Sequence, residues 1–276
     1  MTKRLLILFA MLGVLFGQSG FDILNIPTDA RGAALGMSLS PTVKPTRILT
    51  HPEQSATLSV WNWVADVQGA YIGLGLKNVF LNFQAISSGE LEYRKDVPSE
   101  EPLSTFQYPI YNTGGSYALE LGDFILGLGG ELVYERTLNA SATGLSLNLA
   151  TAYSLNQSLL LSAGLRHFGT TGKLVNESST LPTELWLAVD ADLNNLTLLA
   201  ELNDGPIPAA IGASYSLLDK FEILGGLQVE AADSETRLHP SAGFTTVWTS
   251  FRIGYAIYQM DNNLGPRHYI SLYWNY

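Results

Sequence analysis

From residue 56 onward the chain is one alternating apolar–polar stretch after another, and the connections between them sort by parity. The stretches read as Ala56–Trp63, Gln68–Leu76, Val79–Arg94, Ser104–Leu121, Phe124–Leu138, Thr143–Leu155, Leu159–Phe168, Glu184–Leu193, Leu196–Asn203, Pro208–Leu218, Phe221–Ala231, Arg237–Val247, Phe251–Met260 and His268–Tyr276, fourteen in all. Every second connection is a tight turn: Lys77-Asn78, Gly122-Asp123, Asn156-Gln157, Asn194-Asn195, Asp219-Lys220 and Thr249-Ser250. Those between are mostly longer and more polar, over 95–103, 139–142, 169–183, 204–207, 232–236 and 261–267. A soluble sandwich has no reason to sort its loops this way. A membrane barrel does, with short turns on one side and longer loops on the other.

The period of two also assigns faces. Leu126, Leu128, Leu132 and Tyr134 oppose Glu131 and Glu135; Leu185, Leu187 and Val189 oppose Trp186, Asp190 and Asp192. Glu201 stands alone against Leu198, Ala200 and Leu202, and Glu222, Gln228 and Glu230 stand against Phe221, Ile223, Leu227 and Val229. Arg252 opposes Ile253 and Tyr255. Charge on a lipid face costs about 2–4 kcal/mol at mid-bilayer, so the charged set belongs in a lumen. That lumen reads as acidic, with Arg166 and Arg252 as its counter-ions. Inward glycines (Gly127, Gly129, Gly226, Gly254) leave room for something inside it.

The last ten residues, RHYISLYWNY, fit a closing strand: Ile270, Leu272, Trp274 and Tyr276 form one apolar face ending on aromatics. Such a strand is expected to be read by the barrel-assembly machinery and to face outer-membrane lipid. Only 14% of the 276 residues are charged, against about 25% in soluble domains. Residues 1–19 read as a secretory signal peptide, with Lys3 and Arg4 ahead of apolar Leu5 to Gly17 and small Gly17 and Ser19 before the cut. No later apolar run is long enough for a spanning helix, and only closed barrels satisfy strand backbones in lipid. The expected fold is therefore all-β: a transmembrane antiparallel barrel of about 14 strands over 56–276, with a plug-like segment over 20–55. That segment is irregular and proline-bearing, too apolar for a free tail. Residues 21–36, with their lone Asp29/Arg31 pair as plug contacts, are expected against or within the turn side of the barrel, Arg31 meeting the acidic lumen.

Chemistry is sparse. There is no cysteine, no nucleophile elbow, no His-Glu-x-x-His and no phosphate loop, so neither catalysis nor a cofactor is expected. His239 and His268 lie near loop-side strand ends without a third ligand, and zinc needs at least three. The paired carboxylates sit where a lumen wall wants charge. A net charge of −10 argues against a nucleic-acid partner.

Phe21 to Gly36, FDILNIPTDARGAALG, together with Ser179-Thr180-Leu181-Pro182-Thr183 and the closing Leu264-Gly265-Pro266-Arg267-His268-Tyr269, resembles the PorV/PorQ family, closest to its PorQ branch. Where that family usually carries Asn-Pro-Ala, this chain has His51-Pro52-Glu53. The resemblance implies an outer-membrane barrel of FadL-like architecture, with type IX secretion components or cargo as partners. On that reading Tyr93, Phe106, Tyr108, Leu174 and Val175 at the loop side are the partner contacts. The alternatives are a FadL-like transporter of small apolar molecules and an orphan structural barrel.

Overall fold

The computed structural model describes residues 21–50, 54–63, 66–94, 101–174, 177–178, 180–218, 220–232, 235–259 and 265–275. The signal peptide reading therefore lies outside the described residues, as do Val175 and Tyr276. Numbered along the chain, the strands are β1 Gln54–Asn62, β2 Gln68–Leu76, β3 Val79–Ser87, β4 Leu91–Tyr93, β5 Ser104–Phe106, β6 Pro109–Leu121, β7 Phe124–Arg136, β8 Ser141–Asn156 and β9 Leu159–Thr171. They continue as β10 Lys173–Leu174, β11 Glu177–Ser178, β12 Glu184–Leu193, β13 Leu196–Asn203, β14 Ala209–Leu218, β15 Phe221–Ala232, β16 Glu235–Trp248, β17 Phe251–Gln259 and β18 Pro266–Asn275.

β1–β3, β6–β9 and β12–β18 close a fourteen-strand antiparallel barrel, each strand beside its neighbours in the sequence. The seam is β1 on β18, running from Ser55↔Asn275 to Asn62↔His268. The two tall strands expected over Val79–Arg94 and Ser104–Leu121 are each broken. β3 and β6 end their barrel pairing at Ser87↔Pro109, and β4 and β5 form a separate two-stranded ladder beyond it. Pro109 has no N–H to donate, and the Ser88 hydroxyl accepts from the Tyr108 N–H at this break.

The tight turns carry residues that tolerate a left-handed backbone, Gly122 at φ 65° and Asn194 at φ 59°. Outward residues are predominantly apolar; Leu145, Leu147 and Leu149 on β8 are each about half exposed. In a barrel these make the lipid belt rather than an unfinished core. Aromatic pairs edge it at the turn end, Phe124–Tyr153 and Phe251–Trp274, and Phe83, Tyr111 and Tyr134 stack toward the loop end.

Trp274 pairs with Ala56 across the seam and with Phe251 on the other side. Deleting Trp274 to Tyr276 removes these rungs and the apolar end of the outward face. We expect the truncated chain to be absent from outer-membrane fractions and to lose heat-modifiable migration on gels. Normal recovery of folded barrel would contradict the closing role of β18.

Candidate functional site

Residues 21–50 occupy the lumen. Asp29 caps a short helix, α1 (Ala30–Ala34), by accepting from the Gly32 N–H at 2.8 Å. The helix start is tied to the last strand. The Ala30 N–H donates to Ser271 Oγ at 2.8 Å and the Arg31 N–H to the Tyr273 hydroxyl at 3.0 Å. Ser271 Oγ is itself 2.7 Å from Ser59 Oγ of β1, so the plug helix sits directly on the barrel seam. Glycine makes the close approach possible. A Cβ on Gly127 would lie 2.5 Å from Pro45 Cβ, and one on Gly226 would lie 2.4 Å from the Leu35 carbonyl carbon.

The segment does not stay at the turn end. It begins at the loop end, where Phe21 and Leu24 pack with Ile110, Val133, Ala142 and Leu181, Tyr108 lying against them. It descends to Arg31 beside Glu222, rises to Thr42 and Lys44, and descends again before β1. Placement of Phe21 to Asn25 therefore differs from the turn-side position expected from sequence. The reason is polar as well as apolar: Asn25 Nδ2 donates to Glu184 Oε1 at 2.7 Å on the loop-end start of β12.

The charged wall residues face inward, and most find partners on the plug or on each other. Arg31 pairs with Glu222, Lys44 with Glu201, and Arg47 with both oxygens of Asp190 at 2.8 Å. Arg166 Nε donates to Glu184 at 2.7 Å and Nη1 to Glu201 at 2.8 Å. One network thus runs Asn25–Glu184–Arg166–Glu201–Lys44, with Lys44 also 5.4 Å from the Trp186 ring centre. Lys44 is only 1% exposed. Burial pushes its ammonium down to about 8, and the charge of Glu201 opposes that shift.

Glu131 sits among Asn112, Asn148 and His167, whose Nδ1 is 3.2 Å away. His167 marks a β-bulge. Leu147 faces Phe168 but Leu149 faces Leu165, so β9 carries an extra residue opposite Asn148. Asn148 Oδ1 accepts from the His167 N–H at 2.7 Å while its Nδ2 donates to the Thr42 carbonyl of the plug at 2.9 Å. His167 has φ 56° and no exposed surface. Glu230 holds His239 at 2.7 Å. His268 is bonded to Tyr255 at 2.8 Å on the outward face, so the two histidines do not converge.

Two expected roles change. Arg252 is exposed at the turn-end mouth and pairs with no carboxylate among the described residues; Arg31, Lys44 and Arg47 are the counter-ions instead. Tyr108 turns inward and donates to Glu135 Oε2 at 2.5 Å, rather than presenting itself outside. Its hydroxyl is held protonated by desolvation, then by that carboxylate. Asp192 is exposed and accepts from Thr197 at 2.7 Å. Tyr93 is exposed on β4, Phe106 is half-buried on β5, and Leu174 falls in the β10–β11 ladder. Ile270, Leu272 and Trp274 point outward.

Hollows lie both beside this plug and on the outer wall. One of about 610 Å³ opens at the turn end between Arg31, Arg47 and Leu49 of the plug and Glu120, Asp190, Arg252 and Tyr273 of the wall. Hollows of about 910 and 570 Å³ are edged by outward residues, Leu149, Leu187 and Leu202 in one and Val189, Leu198 and Ile211 in the other, and so belong to the lipid face.

No protein-family model and no curated protein matches the sequence. Solved structures do match the fold. The P. putida toluene transporter TodX superposes with a TM-score of 0.64 at 11% identity, covering 92% of this chain and 99% of that one. The CymD monoaromatic hydrocarbon channel gives 0.61 at 9% identity over 93% and 99%. A Pseudomonas aeruginosa FadL homologue gives 0.56 at 10% identity over 91% and 99%. The likeness is one of fold: the closed antiparallel barrel of this chain is built as those of the toluene transporter and the FadL homologue are.

Proposed function

We propose that this barrel moves small apolar molecules from the cell exterior to the periplasm, with the loop end outside and residues 21–50 as a displaceable plug. The observation that carries the reading is the loop-end chamber, where Phe21 and Leu24 of the plug fill an apolar niche walled by Ile110, Val133, Ala142 and Leu181. A plug whose leading residues occupy an apolar niche yields it to an apolar solute. Below the chamber the plug is held by discrete ion pairs, and beneath it lies the polar turn-end hollow. The fold likeness to hydrocarbon transporters and channels supports the same reading. The acidic wall does not oppose it, because its carboxylates are largely taken up by Arg31, Lys44, Arg47 and Arg166.

A disulfide lock tests this in a chain that has no cysteine of its own. A Cβ on Gly254 would stand 3.3 Å from Ala30 Cβ, close to the ~3.8 Å of natural disulfides. With Ala30→Cys and Gly254→Cys oxidised, uptake of labelled toluene by expressing cells should fall to the vector background and recover on reduction. Equal uptake in both redox states would remove the moving plug from the mechanism.

Type IX secretion is the second reading. Its support is the PorV/PorQ-like sequence blocks and the exposed Leu91, Tyr93 and Leu103 on and beside the β4–β5 ladder. Apolar and aromatic side chains of this kind suit a protein contact. On that reading the oxidised lock leaves partner secretion intact, whereas replacing Leu91 and Tyr93 by Ser impairs it.

A further inference from the structure

Resting on the transport reading, we infer that the loop-end chamber takes a small neutral aromatic molecule bearing a hydroxyl group, a phenol, whose ring replaces Phe21 and whose O–H donates to Glu135.

The ring follows from what fills the niche now. Phe21 is an aromatic side chain buried against Ile110, Val133, Ala142 and Leu181, with Leu24 beside it. Emptying that position leaves a ring-sized apolar space, and apolar cavities of this kind stay dry and accept benzene-like guests.

The hydroxyl follows from the wall. On β7 the inward residues are Glu131, Val133 and Glu135 in succession, so the apolar Val133 contact lies between two buried carboxylates. Glu131 accepts from Asn112 on one oxygen and from Asn148 and Ser146 on the other. Glu135 accepts one hydrogen bond, from Tyr108 to Oε2, and Oε1 accepts none among the described residues. A carboxylate oxygen with no hydrogen-bond partner is a strong acceptor and has no use for another acceptor. It favours a guest that brings a donor.

The chain supplies its own example. Tyr108 is a phenol with its ring against the apolar cluster and its hydroxyl on Glu135. An incoming phenol repeats that arrangement at the other oxygen.

Neutrality follows from the same charges. A carboxylate guest would meet Glu135 on one side and Glu131 on the other. The nearby cations are already committed, Arg166 to Glu184 and Glu201, Lys44 to Glu201. Neither Arg166 nor Lys44 is free to offset the desolvation of a guest anion.

The test uses the full mature chain in nanodiscs and equilibrium binding of p-cresol, toluene and p-toluate, each corrected against protein-free nanodiscs. We expect p-cresol to bind about tenfold tighter than toluene, with no measurable p-toluate binding. Glu135→Leu should collapse the cresol-to-toluene ratio to near one, and Tyr108→Phe, which frees the second oxygen, should raise it. Phe21→Ala should tighten both ligands by a similar factor. Heat-modifiable migration identifies any variant that fails to fold, and the Tyr108→Phe ratio then decides the question alone. Toluate binding as tight as cresol, or a ratio that neither Glu135→Leu nor Tyr108→Phe moves, overturns the inference while leaving apolar transport standing. Failure of all three ligands to bind either the wild type or Phe21→Ala overturns both.

Discussion

Deleting residues 21–50 should turn a closed barrel into a cation-selective pore. The lumen wall behind the plug is polar, lined by Asn82, Gln84, Asn112, Ser116, Ser146, Asn148 and Gln228, all buried only because the plug covers them or they cover one another. Removing the plug takes Arg31, Lys44 and Arg47 away and leaves Glu222, Glu201 and Asp190 without those cations. A wide aqueous lumen with excess fixed carboxylate concentrates cations. In planar bilayers the full chain should be nearly silent, and the deletion variant should pass stepwise current whose reversal potential under a salt gradient follows the cation. A deletion variant that inserts but stays silent would mean that the wall collapses without its plug. Anion selectivity would mean that the wall charge has been misassigned.

The second large effect is expected at Glu201, a carboxylate held between two buried cations. It faces Lys44 and Arg166 together, and those residues are 1% and 5% exposed. Glu201→Ala leaves a buried ammonium and half of a buried guanidinium without compensation. Breaking a buried pair in this way costs about 3–5 kcal/mol. Lys44 then sheds its proton more readily, because burial already disfavours the charged form and Glu201 is what sustains it. Lys44→Met should cost less, since Glu201 keeps Arg166. We expect Glu201→Ala to make residues 21–50 sensitive to added protease in the folded barrel and to lower the temperature of its gel-mobility transition. Lys44→Met should do either only mildly. Equal behaviour of the two variants would show that the plug does not depend on this pair.

The barrel was readable in the sequence because lipid enforces a strict period of two, and because parity of turn and loop survives errors in drawing strand ends. Alternation put Glu131, Glu135, Asp190, Glu201, Glu222 and Glu230 on the inward face, where they lie. It could not break Val79–Arg94 into β3 and β4, since the break comes from backbone geometry at Ser88 and Pro109 rather than from a change of pattern. The plug was legible as a presence but not as a path. Irregular chain has no period, so only its composition spoke. Lys44 and Arg47 were missed as counter-ions in favour of Arg252, although a signal existed: basic residues in a segment expected to enter an acidic lumen. The bulge at His167 left no signal, because one extra residue in a strand of thirteen is invisible without its pairing partner.

The clasp between α1 and the seam has a consequence in time. Ala30 and Ser271 are 241 positions apart, and Arg31 and Tyr273 are 242. Such contacts close a very long loop and cannot form until β18 has arrived. The plug segment therefore waits for a strand made 241 positions after it. Because Ser271 also meets Ser59, the same few side chains serve both as the plug's mooring and as part of the weld between β1 and β18. A failed closure therefore leaves residues 21–50 without their mooring on β18.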